Sequence, residues 1–438
     1  MRSLLHPARE TVALIDASTG RSWTHAELSQ EVEATARRLE GARSVVLCRA
    51  ALTPGSVVGY LGALAAGHAV ALVDDALDPD ALDEIVRRYE PRFVLTPDGV
   101  AQELDVPDGP EPHPDLALLL STSGTTGSPK LVRLSANALL ANARAIATYL
   151  ELDADERAIA SLPLHYCYGL SVLHSHLYVG GSVVLPAGGL TNPAFWEAAD
   201  RYGCTSLAGV PHSYALLRTM GRTERPPATL RTMTQAGGRL HPDVVRELAG
   251  TLRRRSGRFF VMYGQTEATA RMAYLPPEQA EVRPDSIGIP IPGGRLEVDA
   301  SGELVYRGEN VMMGYATERV HLALGDERGG VLRTGDLGHQ DDEGFFYLTG
   351  RVARFAKPLG LRVSLDEVEQ ALPWRAAAVE RDERVISVFV EGGEDPQAVR
   401  ALLARRFRLP PRTFDVRDVD ELPVTGAGKV DYARLRST

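Results

Sequence analysis

An apolar run followed by a segment of glycine and hydroxyl residues constrains the fold more than any other stretch of this sequence. The run covers residues 116–120, and residues 121–130 after it read STSGTTGSPK. Glycine lets the backbone approach an anion closely, and successive backbone N–H groups in such a turn form an anion-binding concavity, to which Lys130 adds positive charge. The pattern predicts a strand, a phosphate-binding loop and a second strand over residues 131–134. A serine- and glycine-rich surface turn without a ligand is the alternative.

This segment is not a Walker A loop. That motif needs two glycines separated by four residues, followed by lysine and a helix. Here Gly124 and Gly127 are three residues apart, and Pro129 precedes the lysine. Because a proline disfavours the helical conformation of the residue before it, Ser128 is biased towards extended structure. The loop therefore leads into a strand, not into a helix.

Short apolar runs alternate with helical periodicity through the first quarter of the chain. Thr24 followed by Glu27 has the spacing of a capping box, which predicts the start of a helix. Strands that alternate with helices indicate a doubly wound parallel sheet. Predicted strands later end in polar or small-residue turns at residues 121, 236 and 263. In such sheets ligands bind at the carboxyl ends of strands, so these turns predict the binding site.

The pattern changes after about residue 285. Glycines separate short strand-like runs as far as residue 350, which indicates a small antiparallel sheet or β-barrel. Residues 351–438 mix strand-like and helix-like segments and include a glycine-rich loop at 423–429. We therefore predict an α/β fold, with doubly wound sheets and a small β-barrel in residues 1–350 and a small α+β domain in residues 351–438.

Composition and charge exclude several classes of function. The net charge of −9 over 438 residues argues against a nucleic-acid partner, which needs a clustered basic face. No apolar run reaches transmembrane length, so no membrane association is expected. Cys48, Cys167 and Cys204 are widely spaced and include no CxxC pair, which argues against a disulfide framework or a zinc ribbon. Three separate thiols suit a reducing compartment, and we expect a cytoplasmic protein.

Three histidines lie where a metal site or a catalyst could be considered. His165 follows an apolar stretch and lies among aromatic residues, where a packed histidine is commoner than a catalyst. His174 and His176 form an HxH pair, but residues two apart do not share a face of a helix, and no third ligand is near in sequence. We interpret the HxH pair as structural.

Five motifs in a fixed order carry a family resemblance. They are STSGTTGSPK at 121–130, YGQTEA at 263–268, RTGDL at 333–337, GR at 350–351 and LPVTGAGK at 422–429. In this order they resemble the adenylate-forming (AMP-binding) superfamily, which includes acyl-CoA synthetases, peptide-synthetase adenylation domains and beetle luciferase. The resemblance extends over nearly the whole chain.

The resemblance implies an enzyme that activates a carboxylic acid with ATP and Mg²⁺. Members form an acyl-adenylate and pyrophosphate, then usually transfer the acyl group to the thiol of coenzyme A or of a carrier-protein phosphopantetheine. For this chain the carrier protein would act in trans. An amide-bond synthetase with a nitrogen acceptor, an amino-acid adenylation enzyme and a nucleotide-binding scaffold are the alternatives.

The resemblance also implies roles for individual residues. Lys429 is the catalytic lysine of a mobile C-terminal lid domain, Thr266 donates to the α-phosphate, and Glu267 binds Mg²⁺. His165 is a further catalytic candidate, because its segment borders the acid pocket in the family. Asp336 and Arg351 are expected at the ribose, and Gly237, Gly238 and Tyr263 at the adenine. The complete nucleotide-binding set is Ser121, Thr122, Ser123, Gly124, Thr125, Thr126, Gly127, Lys130, Gly237, Gly238, Tyr263, Gly264, Gln265, Asp336 and Arg351.

The segments that line the acid pocket in the family are largely apolar or aromatic in this chain. The implied pocket residues are Tyr166, Cys167, Gly209, His212, Ala236, Met262 and Met272. They favour an aryl or acyl acid. Arg271 could pair with a second anionic group on the substrate, although a solvated charge on a helix is the interpretation that we favour from the sequence.

The chain departs from the family pattern where the C-terminal domain rotates between the two half-reactions. Ala353 stands at the hinge, which is often Asp or Lys, and Arg354 stands at a position that is often acidic. An alanine cannot form a hinge salt bridge. Lys357, Gly360 and Arg362 match the loop that the family turns towards the thiol acceptor, which favours a complete second half-reaction.

Overall fold

A computed structural model describes most of the chain. The described residues are 4–121, 130–352, 354–356, 358, 363–382, 385–407, 409–425 and 428–437. The predicted site residues that lie outside this set are Thr122, Ser123, Gly124, Thr125, Thr126 and Gly127 of the phosphate loop, Ala353 of the hinge, and Lys357, Gly360 and Arg362 of the acceptor loop.

The helices and strands alternate as the sequence predicted. The strands are β1 (Val12–Asp16), β2 (Ser22–Thr24), β3 (Val45–Ala50), β4 (Ala69–Asp74), β5 (Phe93–Leu95), β6 (Ala101–Glu103), β7 (Leu116–Ser121), β8 (Leu131–Ser135), β9 (Arg157–Ile159), β10 (Ser182–Leu185), β11 (Ser206–Gly209), β12 (Thr232–Gln235), β13 (Arg258–Tyr263), β14 (Ala273–Leu275), β15 (Ser286–Pro290), β16 (Arg295–Val298), β17 (Glu303–Arg307), β18 (Gly314–Ala316), β19 (Val331–Gln340), β20 (Phe346–Arg351), β21 (Phe355–Ala356), β22 (Val363–Ser364), β23 (Ala376–Asp382), β24 (Val385–Glu391) and β25 (Phe414–Val419). The helices are α1 (His25–Arg38), α2 (Pro54–Ala65), α3 (Pro79–Tyr89), α4 (Ala136–Tyr149), α5 (Cys167–Val179), α6 (Pro193–Arg201), α7 (Pro211–Thr219), α8 (Pro242–Arg253), α9 (Leu365–Gln370), α10 (Pro396–Phe407) and α11 (Tyr432–Arg436). Within the described residues, no helix is both long and apolar enough to cross a membrane.

The chain divides into two compact units. The first holds the described residues of Met1–Thr122, Gly127–Leu296 and Tyr306–Leu332, and the second holds those of Glu297–Val305 and Arg333–Thr438. The domain boundary expected between residues 350 and 351 stays a prediction.

Two large sheets organise the first unit. One has the strand order β18-β8-β7-β4-β3-β5-β6, and the other contains β15-β14-β13-β12-β11-β9-β10-β1-β2 in that order. Strands β13, β12, β11, β9, β10 and β1 lie side by side in this order, and each is parallel to the next. Strands β3, β4, β5 and β7 are parallel in the other sheet. Parallel sheets are buried by the helices that connect their strands, and these two confirm the predicted α/β class.

The helices begin where the sequence signals predicted. The Thr24 hydroxyl accepts a hydrogen bond from the Glu27 N–H over 3.1 Å, and the Glu27 carboxylate accepts one from the Thr24 N–H over 2.8 Å. This reciprocal pair is the predicted capping box at the start of α1. Ser135 caps α4 in a similar way by accepting from the Ala138 N–H over 3.0 Å.

The second unit has its own small core. Strand β24 pairs antiparallel with β23 and parallel with β25. Helices α9 and α10 contribute Val368 and Leu403, which are fully buried with Phe414 of β25. In the hairpin formed by β19 and β20, Asp336 lies directly opposite Arg351. Two predicted site residues are therefore cross-strand neighbours.

The two histidines of the HxH pair hydrogen-bond to different parts of the first unit. His174 Nε2 lies 2.9 Å from the Tyr60 hydroxyl, whereas His176 Nε2 lies 3.1 Å from the Ser206 hydroxyl. Both rings are buried. Their contacts support the structural interpretation made from the sequence.

Burial of His174 predicts a loss of stability in acid. Burial lowers the pKa of His174 from 6.5 to about 3. The unfolded chain binds a proton at His174 near pH 6.5, whereas the folded chain does not. The free energy of unfolding is therefore unaffected by this group above pH 6.5 and falls as the pH drops towards 3. The loss reaches up to about 5 kcal/mol at the lower limit. We expect the free energy of unfolding, measured with urea from pH 7.5 to pH 4, to depend less steeply on pH in His174→Gln than in the unchanged protein. The difference in slope should correspond to about one proton bound on unfolding. Equal slopes in the two proteins would contradict this role for His174.

Candidate active site

The structure brings the loop lysine and the predicted magnesium ligand to one tyrosine. Tyr315 lies on β18, which pairs antiparallel with β8 and places Tyr315 opposite Val132. The Lys130 ammonium lies over the Tyr315 ring, with Nζ 3.2 Å from the ring centroid. The Tyr315 hydroxyl donates a hydrogen bond to Oε1 of Glu267 over 3.0 Å. Two motifs that are far apart in sequence thus meet at a residue that the sequence analysis did not select.

The Glu267 carboxylate fits a magnesium ligand. Burial, and then Glu267 itself, raises the pKa of Tyr315, so its hydroxyl remains a hydrogen-bond donor at neutral pH. Within the described residues, only Tyr315 hydrogen-bonds to this carboxylate, through Oε1. No group of three or more His, Cys, Asp or Glu side chains in the described part of the chain has the arrangement of a metal site. A single carboxylate suits Mg²⁺, which keeps several waters and takes further ligands from phosphate oxygens.

The backbone turns sharply after β13, where the YGQTEA motif begins. A Cβ atom on Gly264 would lie 1.8 Å from the Ala270 carbonyl oxygen, so only glycine fits there. Thr269 and Ala270 have φ angles of 59° and 117°, in a region that residues with side chains rarely adopt. Strained backbone of this kind persists only where its surroundings hold it, and it concentrates at functional sites.

Two buried asparagines hold this turn in place. The Asn310 amide donates to the carbonyl oxygens of Ala268 and Arg271, both over 2.8 Å. The Thr269 hydroxyl donates to the Asn310 carbonyl oxygen over 2.6 Å, and the Asn142 amide donates to the Arg271 carbonyl oxygen over 3.1 Å. Sequence reasoning missed both asparagines, because their partners are distant in the chain.

Gln265 and Thr266 lie within the same turn. The Gln265 carbonyl accepts hydrogen bonds from the N–H groups of Ala268 and Ala270 over 3.0 and 3.2 Å. The Thr266 hydroxyl donates to the sulfur of Cys167, the first residue of α5, over 3.5 Å. Thr266 therefore lies beside the start of α5, where two of the predicted acid-pocket residues are found.

The turn after β12 is next to the turn after β13, because the two strands are parallel neighbours. It contains Ala236, which is buried, and Gly237, which has a φ angle of 85°. The Gln235 side chain donates to the Gly238 carbonyl over 2.6 Å and fixes the turn. Tyr263 ends β13 and is largely buried. The residues predicted at the adenine therefore come from two neighbouring strand ends.

His165 lies near the carboxyl end of another strand. Its Nε2 atom is 3.8 Å from a carboxylate oxygen of Asp74, the last residue of β4. Burial lowers the pKa of His165, and Asp74 opposes that shift. Among the described residues, this imidazole forms no hydrogen bond or ion pair with Thr266 or Glu267.

The predicted acid-pocket residues come from neighbouring elements of the first unit. A narrow cavity of about 20 Å³ lies among α4, α5 and strands β11 to β13, and Met262, Tyr168 and Arg271 line it. The predicted residues are Tyr166 and Cys167 at the start of α5, Gly209 at the end of β11, His212 in the first turn of α7, Ala236 after β12, Met262 on β13, and Met272 after the turn at 264–271.

The solvated position that we favoured for Arg271 is wrong. Arg271 is not on a helix, and only 2% of its surface is exposed. Its guanidinium lies over the Tyr168 ring, with Cζ 3.9 Å from the centroid. The positive φ angles of Thr269 and Ala270 stop any helix before residue 271 and turn the chain inwards.

Asp336 and Arg351 form an ion pair within the second unit. The Arg351 Nε atom lies 2.9 Å from Oδ1 of Asp336. The Asp336 side chain is 4% exposed and the Arg351 side chain 60% exposed, so the pair has one buried and one accessible member. A buried carboxylate held in a fixed orientation suits an acceptor for two vicinal hydroxyl groups, as the ribose requires.

Lys429 lies on one side of a small β-turn structure. Val424 and Val430 form an isolated antiparallel bridge, and the Thr425 N–H donates to the Lys429 carbonyl over 2.7 Å. Gly428 has a φ angle of 71°, which glycine adopts without strain. The backbone around Lys429 is therefore held by main-chain hydrogen bonds that do not depend on the lysine side chain.

Arg354, the second departure at the hinge, has a defined place in the second unit. It pairs with Asp366 and with Glu369, the latter over 2.8 Å, and its Cζ atom lies 4.0 Å from the centroid of the Tyr432 ring. The Tyr432 hydroxyl donates to Glu369 over 3.1 Å. This buried group connects the segment after the hinge to helix α11. The basic residue thus has internal acidic partners in place of a hinge salt bridge.

Comparison with known proteins identifies the family. The model of the AMP-binding enzyme family matches residues 5–108 and 101–316. The sulfoacetate–CoA ligase of Cupriavidus necator is 32% identical over 86% of this chain and 84% of its own length. The indoleacetate–CoA ligase of Aromatoleum aromaticum is 30% identical over 74% of this chain and 68% of its own length.

Solved structures have the same fold. ATP-bound MatB from Rhodopseudomonas palustris aligns with a TM-score of 0.82 at 23% identity, covering 98% of this chain and 96% of that chain. The AMP complex of O-succinylbenzoate coenzyme A synthetase from Bacillus subtilis aligns with a TM-score of 0.78 at 22% identity, covering 98% of this chain and 95% of that chain. The resemblance that the five motifs carried is confirmed, and this chain belongs to the AMP-binding enzyme family of adenylate-forming enzymes.

Proposed function

We propose that this AMP-forming acid–thiol ligase activates an aryl or acyl carboxylic acid with ATP and Mg²⁺ and transfers the acyl group to coenzyme A. The observation that carries the proposal is the meeting of Lys130 and Glu267 at Tyr315 in a member of this family. A cation for phosphate oxygens and a carboxylate for a metal ion are thereby placed on one aromatic side chain. This is the charge arrangement that a nucleoside triphosphate with its magnesium ion requires.

The first half-reaction joins two negatively charged groups. An oxygen of the substrate carboxylate attacks the α-phosphorus of ATP, a bond forms between them, and the bond to pyrophosphate breaks. Charge neutralisation and positioning therefore supply most of the catalysis. Lys130 binds phosphate oxygens, Thr266 donates a hydrogen bond to the α-phosphate, and Lys429 donates to the carboxylate and α-phosphate oxygens. Glu267 holds Mg²⁺, which neutralises phosphate charge when it is bound.

A further set of residues is proposed to bind the nucleoside. Asp336 accepts hydrogen bonds from the ribose hydroxyls, and Arg351 fixes the orientation of that carboxylate. Gly237 and Gly238 let the backbone approach the adenine closely, and Tyr263 offers its ring. The hydroxyls and N–H groups of the phosphate loop, residues 121–127, bind the β- and γ-phosphates.

In the second half-reaction a thiol sulfur attacks the acyl carbon, AMP leaves, and the thiol loses its proton. Two relatives are named as CoA ligases, which supports coenzyme A as the acceptor. A carrier-protein phosphopantetheine has the same reacting thiol. The peptide synthetase CmlP of Streptomyces venezuelae is 27% identical over 96% of this chain and 47% of its own length, which supports that second acceptor. A cytoplasmic location remains a prediction from the sequence.

The test is acid-dependent pyrophosphate release over a panel of benzoates, short and medium fatty acids and amino acids, with and without coenzyme A. Release with aryl or acyl acids, and faster AMP release when coenzyme A is added, would support the proposal. Release with no response to coenzyme A would direct the next assay to a carrier protein or an amine. ATP binding without pyrophosphate release from any acid would instead support a nucleotide-binding scaffold.

A further inference from the structure

A buried guanidinium without a carboxylate partner lies at the cavity of the first unit. Arg271 is 2% exposed, and its Nε–H points to the sulfur of Met262 over 3.4 Å. Its Nη1 donates to the Ala270 carbonyl over 3.3 Å, and its side chain also hydrogen-bonds to the Tyr149 hydroxyl. All of these partners are neutral. Among the described residues, no Asp or Glu forms an ion pair with Arg271.

Burying the Arg271 guanidinium without an opposite charge costs free energy, so its presence in the interior needs an explanation. Taking a charge out of water is unfavourable unless an opposite charge or a full set of hydrogen bonds compensates for it. The Tyr168 ring, 3.9 Å from Cζ, supplies part of the compensation through a cation–π contact. A guanidinium has five N–H donors. The Met262 sulfur and the Ala270 carbonyl are weak acceptors, and the Tyr149 hydroxyl is the third neutral partner.

The backbone before Arg271 directs its side chain towards the cavity. Thr269 and Ala270 adopt strained positive φ angles directly before Arg271, and the amides of Asn310 and Asn142 both bind the Arg271 carbonyl oxygen. Strain that the surroundings stabilise in this way is characteristic of sites with a functional purpose.

A second polar side chain, that of Thr232, lines the same cavity. The Thr232 hydroxyl is fully buried, lines the cavity with Arg271, and has no hydrogen-bond partner among the described residues. Tyr168 of α5 and Met262 of β13 also line this cavity, and Met262 is one of the predicted acid-pocket residues. Apolar side chains such as Leu150 and Leu207 line the cavity together with further polar residues, which are Ser171, Ser175, His176, Ser206 and Thr234.

We propose that the acid substrate carries a second anionic group, a carboxylate or a sulfonate, that pairs with Arg271. A planar guanidinium binds such oxyanions through two parallel hydrogen bonds, and the Thr232 hydroxyl supplies a further donor. The carboxylate to be activated then lies at the other end of the substrate. The inference rests on the proposed function, and it replaces the general aryl or acyl acid by a dianionic one.

The test compares acids that are matched in shape and differ in the second charge. The probes are succinate with butyrate, terephthalate with 4-methylbenzoate, and 4-sulfobenzoate with 4-methylbenzoate, each assayed by pyrophosphate release. We expect at least a tenfold higher kcat/KM for the dianionic member of one pair or more. The carboxylate and sulfonate pairs distinguish the two sources of the second charge.

Variants separate recognition from structure. Arg271→Gln should raise KM for the preferred dianionic acid at least thirtyfold while changing KM for its monoanionic partner less than threefold. For Arg271→Lys, KM for the dianionic acid should lie between the values of the unchanged protein and of Arg271→Gln. Arg144→Gln, which removes an exposed arginine from α4, is the control and should match the unchanged protein. If Arg271→Gln does not fold, the test of the second anionic group rests on Arg271→Lys and on the comparison of matched acids in the unchanged protein.

Two outcomes would overturn the inference in different ways. Equal use of monoanionic and dianionic acids, or an equal loss for both in the Arg271 variants, would reject the second anionic group and leave the proposed ligase activity standing. No pyrophosphate release from any acid, with ATP still bound, would reject both.

Discussion

Replacing Lys429 with alanine is expected to lower the rate of adenylate formation about a hundred- to a thousandfold. The attacking carboxylate and the α-phosphate are both negatively charged, and the ammonium is proposed to neutralise the charge that accumulates between them. Loss of one preorganised donor at such a centre typically costs about 3–4 kcal/mol of transition-state stabilisation. The measurement is single-turnover pyrophosphate release with an acid identified in the panel.

The structure makes this substitution a selective test. The hydrogen bonds that hold the segment, from Thr425 N–H to the Lys429 carbonyl and from Gly428 N–H to the Thr425 carbonyl, belong to the main chain and survive in the variant. ATP binding and the unfolding midpoint should therefore change little. Arg436→Ala, which removes an exposed cation from α11, is the matched control. Unchanged adenylate formation in Lys429→Ala would show that another group has the assigned role.

The fold could be predicted from the sequence because its signals are local. The capping box of Thr24 and Glu27 needs only four consecutive residues, and both of its hydrogen bonds are present. The alternation of apolar strands and periodic helices is likewise read within short windows, and it led to the correct α/β class. The turns at residues 236 and 263 were recognised because glycine and polar residues end the strands before them.

The residues that organise the site could not be predicted, because their roles depend on distant pairings. Tyr315 contacts Lys130 and Glu267 only because β18 pairs with β8. Asn310 supports the turn after β13 through hydrogen bonds to residues about forty positions earlier in the chain, and neither its type nor its neighbours mark it. Such contacts follow from the assembled fold and leave no periodic signal.

Arg271 shows how a local interpretation can fail. An arginine a few residues after an acidic helix start is commonly a solvated helix residue, and that was the expectation. The helical turn ends at Thr269, however, which adopts a φ angle of 59°, and Ala270 follows at 117°. Because neither residue is glycine, the sequence gives no warning of the reversal that buries Arg271.

Replacing Glu267 with glutamine should raise the Mg²⁺ concentration for half-maximal pyrophosphate release at least tenfold and lower the maximal rate about a hundredfold. Glutamine keeps the shape and an oxygen that can accept the Tyr315 hydrogen bond, so the turn after β13 should be preserved. What is lost is the negative charge, the property that a hard divalent cation requires of its ligand. The measurement is a magnesium titration at saturating ATP and acid.

Tyr315→Phe tests whether the carboxylate must also be oriented. The phenylalanine keeps an aromatic face for Lys130, whose Nζ lies 3.2 Å from the ring centroid, and removes only the hydroxyl that binds Glu267. We expect a shift in the magnesium titration that is smaller than that of Glu267→Gln, because the charge remains while its orientation is lost. Glu278→Gln, which removes an exposed carboxylate, should leave the titration unchanged. If Glu267→Gln also leaves it unchanged, the magnesium ion is held elsewhere, and the hydrogen bond between Tyr315 and Glu267 is only a support for the turn.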